Sequence, residues 1–170
     1  MDRILILAGG YSNEREISLI TAKSVIHELK KNKKYKLLLI EPDGSFVKKL
    51  RKFKPKLVLN LLHGRYGEDG YIQSVLESEK VKYSHSGVLS SSLAIDKELS
   101  KKIFIKNNIL TPSYIKFSFK NNIDIKNTIK KIDKNLKFPV VLKPINEGSS
   151  VGVYICNKKN FNSNLMKLEK

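Results

Sequence analysis

The first half of this chain alternates short apolar runs with stretches of helical periodicity, and few folds accommodate that order. Ile4 to Ala8, Leu37 to Ile40 and Leu57 to Leu62 are the length of strands and read as buried ones. Between the first two, Leu19, Ala22, Val25, Ile26 and Leu29 recur at helical spacing, with Ser12 or Asn13 as the cap. Strand, helix, strand in this order predicts an α/β fold: a parallel sheet covered by helices, with ligands gathering at the carboxyl ends of its strands. Gly9-Gly10 and His63-Gly64 stand at two such ends.

A different pattern follows, so the chain is read as residues 1–93 and 94–170, the second part α+β. Asp96 to Asn108 predicts a helix with Leu99, Ile103 and Phe104 on one apolar face. Ser113 to Phe119 reads as a strand, and Ile125, Ile129 and Ile132 mark a helix. Val140 to Leu142 and Val151 to Ile155 read as strands, and Lys158 to Lys170 as a helix. The hydroxyl-rich Tyr83 to Gly87 and Ser90-Ser91-Ser92 read as a solvated connection.

Composition narrows the partners. No apolar run approaches the about 18 residues a membrane span needs, and the N-terminus lacks a signal-peptide layout. The expectation is a cytoplasmic protein without a membrane partner, and the lone Cys156, which has no internal disulfide partner, fits as core filler. A net charge of +17 points first to nucleic acid. Against that, arginine is scarce (Arg3, Arg15, Arg51, Arg65), the lysines are dispersed over helix faces, and Lys, Ile and Asn share A/T-rich codons. No nucleic-acid partner is therefore expected.

Three segments carry chemistry. Gly9 to Glu16 follows a strand and opens a helix; Glu14 there is either a counter-ion for a substrate ammonium or a residue that favours a helix N-terminus. His63 to Gly70 has three glycines in eight residues, an irregular loop able to aim His63, Arg65, Glu68 and Asp69. His63 touches substrate or is a hydrogen-bonded structural residue, and Glu68 and Asp69 cap the helix that follows or do more. In the third, an apolar strand delivers Lys143 beside Gly148 to Val153, whose amides can converge on a polyphosphate; the plainer reading is a hairpin turn with an incidental lysine. The spacing is neither a Walker loop nor a dinucleotide fingerprint. Lys97 is a second phosphate-facing cation or a surface lysine.

Taken in order, these segments resemble the N-terminal part of the D-alanine–D-alanine ligases of the ATP-grasp superfamily. The matching motifs are Gly9-Gly10-x-Ser12-x-Glu14-Arg15-Glu16-x-Ser18, His63-Gly64-x-x-Gly67-Glu68-Asp69-Gly70-x-x-Gln73, Ala94-x-Asp96-Lys97 and Lys143-Pro144-x-x-Glu147-Gly148-Ser149-Ser150-Val151-Gly152. The resemblance implies a Rossmann-like pre-ATP-grasp domain followed by an incomplete ATP-grasp domain. It implies a ligase that activates one D-alanine as an acyl phosphate with ATP and Mg2+ (or Mn2+), then joins a second to it for peptidoglycan precursor synthesis. Glu14 would hold the first ammonium, His63 would lie near its carboxylate, and Ser149 would join the network around the substrates. Lys97, Lys143, Ser150 and Val151 would bind ATP, and a homodimer is expected by analogy.

Two departures stand out. His85 occupies a position where the family commonly has glycine, and family members continue well past residue 170 into segments that carry the metal ligands. No metal ligand is thus expected in this chain, and the alternative to an enzyme is a truncated, non-catalytic remnant that still binds small ligands or a partner. A basic nucleic-acid-binding module is the third reading.

Overall fold

The computed structural model describes residues 1–119 and 123–169. The chain divides into two compact units, Met1–Ile95 and Asp96–Lys170.

In the first unit, β1 (Asp2–Leu7) lies between β2 (Tyr35–Ile40) and β3 (Leu57–Asn60), and both pairings are parallel. A single parallel bridge from Val58 to Tyr83 extends the sheet beyond β3. The continuous apolar run of β1 has a direct cause: the strand is buried on both faces. Leu5 and Leu7 pack with Phe46 and Leu50 of α2 (Phe46–Phe53) and Ile72 and Leu76 of α3 (Tyr71–Ser78). Ile4, Ile6 and Ala8 pack with Ala22, Leu19 and Ile26 of α1 (Arg15–Lys30) on the other side. The parallel α/β expectation holds. β2, by contrast, is an edge strand with Leu39 exposed, so it is less buried than its composition suggests.

Because α1 covers one face while α2 and α3 cover the other, the connections leaving β1 and β3 diverge. In open α/β sheets such a divergence marks the place where ligands bind.

Two local expectations for this unit need correction. The cap of α1 is Glu14, without a side-chain cap hydrogen bond, not Ser12 or Asn13; the Ser12 hydroxyl accepts from the Glu14 amide just ahead of the helix and donates to the His63 carbonyl. The serine-rich connection is solvated as expected at His85–Gly87, Ser90 and Ser92, but its second part is helical, as α4 (Val88–Ile95), and buries Ser91. Ser91 donates to the Ser86 carbonyl at 3.2 Å and Ser92 to the Asp69 carbonyl, 23 positions back, at 2.7 Å.

His85 has φ +97, a left-handed conformation that a side chain disfavours. A glycine would adopt this conformation without that steric cost. His85→Gly should raise the first unit's unfolding free energy by about 1 kcal/mol, read from the shift of its urea midpoint at unchanged slope; an unchanged midpoint would show that the backbone is unstrained.

The second unit comprises α5 (Lys97–Lys106), α6 (Ile125–Asn135), the antiparallel pair β4 (Val140–Leu142) and β5 (Tyr154–Cys156), and α7 (Phe161–Glu169). Ile132, Leu142, Cys156, Phe161 and Leu165 form its core, with Cys156 fully buried. Ser113–Phe119 is not a strand: it has no ladder partner among the described residues, though Ile115 and Phe117 do turn inward. Alternation places side chains, but a strand also needs an edge to pair with.

Three further expectations shift. Residues 151–153 lie in turns, so β5 begins only at Tyr154. α7 ends at Glu169, and Lys170 lies outside the described residues. The apolar face of α5 is not buried: Leu99, Ile103 and Phe104 each keep more than a third of their surface.

Candidate functional site

Two hydroxyls tie the loops that leave β1 and β3. Ser18 accepts from the Gly9 amide and donates to the Leu61 carbonyl, both at 2.7 Å. Ser12 accepts from the Glu14 amide at 3.1 Å and donates to the His63 carbonyl at 2.7 Å. The structure thereby brings Glu14 and His63 to one place. Glu14 is only 2% exposed, and a Cβ added at Gly64 would lie 2.8 Å from its Oε1. With φ +66 at Gly64 as well, glycine is the residue this contact permits. A carboxylate so enclosed attracts a cation strongly once water is excluded, and admitting one requires the His63–Asp69 loop to yield.

That loop is braced from beneath. The Asn60 and Gln73 amides both donate to the Gly67 carbonyl, at 2.8 and 2.9 Å, while Asn60 Oδ1 accepts from the Leu62 amide at 3.2 Å. Glu68 folds back to accept from the Gly64 amide at 2.8 Å, so it does not cap α3. Asp69 accepts from the Tyr66 and Tyr71 amides, both at 3.1 Å. Sequence reasoning did not single out Asn60; a polar residue ending an apolar strand run was the available signal. A separate cavity of about 400 Å³ opens by Gly10, Tyr11 and Ser12, against the Arg15–Glu41 ion pair, whose closest atoms are 2.7 Å apart; neither Glu14 nor His63 lines it.

In the second unit, Lys143 follows β4 directly, and residues 143–153 connect the hairpin. Ser149 and Ser150 both have positive φ, in a turn closed by the Val151 amide on the Gly148 carbonyl at 2.9 Å. A second turn, with Gly152 at φ +66, is closed by the Val153 amide on Ser150 at 3.3 Å. The hairpin reading of this segment is thus correct as topology. Two of its amides are engaged in holding the turns.

Lys97 is more specific than expected. Its Nζ donates to the carbonyls of Ile145, at 3.0 Å, and Glu147, so it holds the segment that runs from Lys143 into the turns. Asp96 caps α5 by accepting from the Glu98 and Leu99 amides, which sets the helix start and with it Lys97. One turn on, Lys101 donates to Thr111 at 2.9 Å and to the Pro112 carbonyl. Burial first, and the neighbouring charge of Lys143 second, push the Lys101 ammonium below its ordinary range. Lys101 was not anticipated; its place four residues after Lys97, on the same helix face, was the signal. On the hairpin, the exposed Val141 and Ile155 stand directly opposite one another, an apolar pair two residues from Lys143.

The chain is similar to known proteins. A family model described as "D-ala D-ala ligase C-terminus" matches residues 103–168. The D-alanine–D-alanine ligase of Pelagibacter ubique is 61% identical over 98% of this chain, and that of Wolbachia pipientis wMel 49% identical over 89%. The D-alanine–D-alanine ligase of Bacillus anthracis superimposes with a TM-score of 0.80 at 37% identity, covering 99% of this chain and 54% of its own. Over almost its whole length the chain is similar to D-alanine–D-alanine ligases. It spans about half the length of the relatives it matches, 54% of the Pelagibacter protein and 46% of the Wolbachia one. A second Bacillus anthracis ligase structure, complexed with ATP, aligns with a TM-score of 0.77 at 32% identity.

No helix among the described residues is long and apolar enough to cross a membrane. No group of three or more His, Cys, Asp or Glu among them could hold a metal ion.

Proposed function

We propose that this chain supplies the first D-alanine site and part of the ATP-phosphate site for ATP-dependent joining of two D-alanines, in the cytoplasm, toward peptidoglycan precursors. The observation that carries the reading is the enclosed Glu14 carboxylate, on a residue whose backbone amide is tied through the Ser12 hydroxyl to the His63 carbonyl at the carboxyl ends of β1 and β3.

The chemistry sets what these residues must do. A free carboxylate is a poor electrophile, so the oxygen of the first D-alanine attacks the γ-phosphate, ADP leaves, and an acyl phosphate forms. The second D-alanine's amine then attacks the acyl carbon and inorganic phosphate departs. Glu14 holds the first ammonium by charge, and His63 lies beside the same amino acid. Lys143 and the 149–152 turns face the phosphates, with Ser150 and Val151 in the covering loop and Ser149 in the substrate network. Lys97 serves the phosphate site, and by holding the Ile145 and Glu147 carbonyls it also sets where Lys143 emerges. Val141 and Ile155 offer a flat apolar surface suited to the base. Positioning and charge neutralisation do most of the work.

Titration of the isotope-labelled chain with D-alanine and, separately, with ATP tests this reading. D-alanine should shift the signals of Glu14, Gly64 and His63, and ATP those of Lys143 and 149–152. Glu14→Gln should weaken D-alanine binding by roughly 30-fold, the loss of about 2 kcal/mol from a charge-assisted contact, and leave the ATP response in place. Lys143→Ala should do the reverse. Equal responses in both variants, or shifts confined to other segments, would overturn the assignment.

A further inference from the structure

His63 Nε2 lies 3.3 Å from the Thr21 hydroxyl on α1. The same oxygen is 3.0 Å from the carbonyl of Ile17, one helical turn back. A hydroxyl has one proton, and a carbonyl can only accept. With its proton engaged by Ile17, Thr21 Oγ1 can meet His63 only as an acceptor, so Nε2 must carry the hydrogen. In the neutral ring Nδ1 then holds a bare lone pair. Which nitrogen carries the proton is set by the partner of the other one, so a residue outside the ligand's reach can decide how an imidazole meets its ligand.

We propose that Thr21 is a positioning residue that fixes His63 as the Nε2–H tautomer, leaving Nδ1 as an acceptor that meets an amino-acid ligand through its ammonium and not, as the resemblance implied, beside its carboxylate. The tautomer half of this stands on the two distances alone. The ligand half rests on the D-alanine site proposed above.

Thr21 suits the task for a local reason. A threonine inside a helix can bond the carbonyl four residues back, which locks its χ1 and leaves its lone pairs facing sideways. Valine keeps the shape and removes both roles; serine keeps both roles.

The test is nitrogen-15 spectroscopy of the His63 ring in the full chain, at a pH where the ring is neutral. Wild type should show Nε2 protonated, and its Nε2 hydrogen should exchange with water roughly fivefold more slowly than in Thr21→Val, the factor expected for one hydrogen bond. Thr21→Ser should restore the slow exchange. Adding D-alanine should move the Nδ1 resonance and leave Nε2 protonated. A wild-type ring protonated at Nδ1, equal exchange in wild type and Thr21→Val, or a D-alanine response at Nε2 alone would each overturn the proposal. If D-alanine moves neither nitrogen while the exchange difference holds, the ligand half falls and the tautomer assignment remains. Should Thr21→Val fail to fold, the wild-type protonation pattern and the Thr21→Ser exchange rate still decide it.

Discussion

Gly67→Ala should destabilise the first unit by about 3 kcal/mol, lowering its melting temperature by on the order of 15 °C. The added methyl would overlap the Leu62 Cβ and press on the Leu62 backbone carbon and oxygen at 3.0 and 3.1 Å. Backbone at the end of a buried strand cannot retreat, so the loop must. Moving it takes the Gly67 carbonyl away from two buried amides, those of Asn60 and Gln73. An amide left without its acceptor costs about 1–3 kcal/mol, which is why the effect exceeds that of ordinary overpacking. The same displacement carries His63 and Gly64 off Glu14, so the D-alanine response should vanish with the stability. A loss below about 1 kcal/mol, less than a single orphaned amide costs, would mean that the loop is not braced as described.

The second large effect is expected at Phe161. Its side chain is 1% exposed and meets Phe117 and Phe138 edge-on, at centroid distances of 6.4 and 6.2 Å. Phe161→Ala removes about 3–5 kcal/mol by lost transfer energy and the cavity left behind. The core of this unit has few other buried members: Ile132, Leu142, Cys156 and Leu165. A unit of this size has only a few kcal/mol in hand, so it should unfold near room temperature. Amide signals from 96–169 should collapse, with loss of the ATP response, while those of 1–95 persist, because the two cores share no residue. Retention of dispersed signals from β4 and β5 would show that the hairpin does not depend on this ring.

Much of the first unit could be read directly because burial there is two-sided and local. Ile4 to Ala8 is apolar without a break since both faces of β1 are covered, and the 3.6-residue spacing on α1 reflects a single packed stripe. The serine helix escaped notice because its hydroxyls bond to carbonyls, which leaves no apolar stripe to detect. Ser113 to Phe119 misled for the opposite reason: its alternation is real, but the pairing that makes a strand depends on a distant edge.

At the candidate sites the division follows the same physics. Residue identity alone determined which chemistry is present: an acid at the end of β1, a histidine at the end of β3, a lysine and a glycine–serine turn after β4. Tertiary structure alone decided how those groups are held. Ser12 reaches a carbonyl 51 positions on, Thr21 meets His63 42 positions away, and Lys97 reaches a carbonyl 48 positions on. Periodicity in a sequence reports which side of an element is buried; a hydrogen bond across such a separation leaves no periodic trace, because it is set by how strands and loops converge in space.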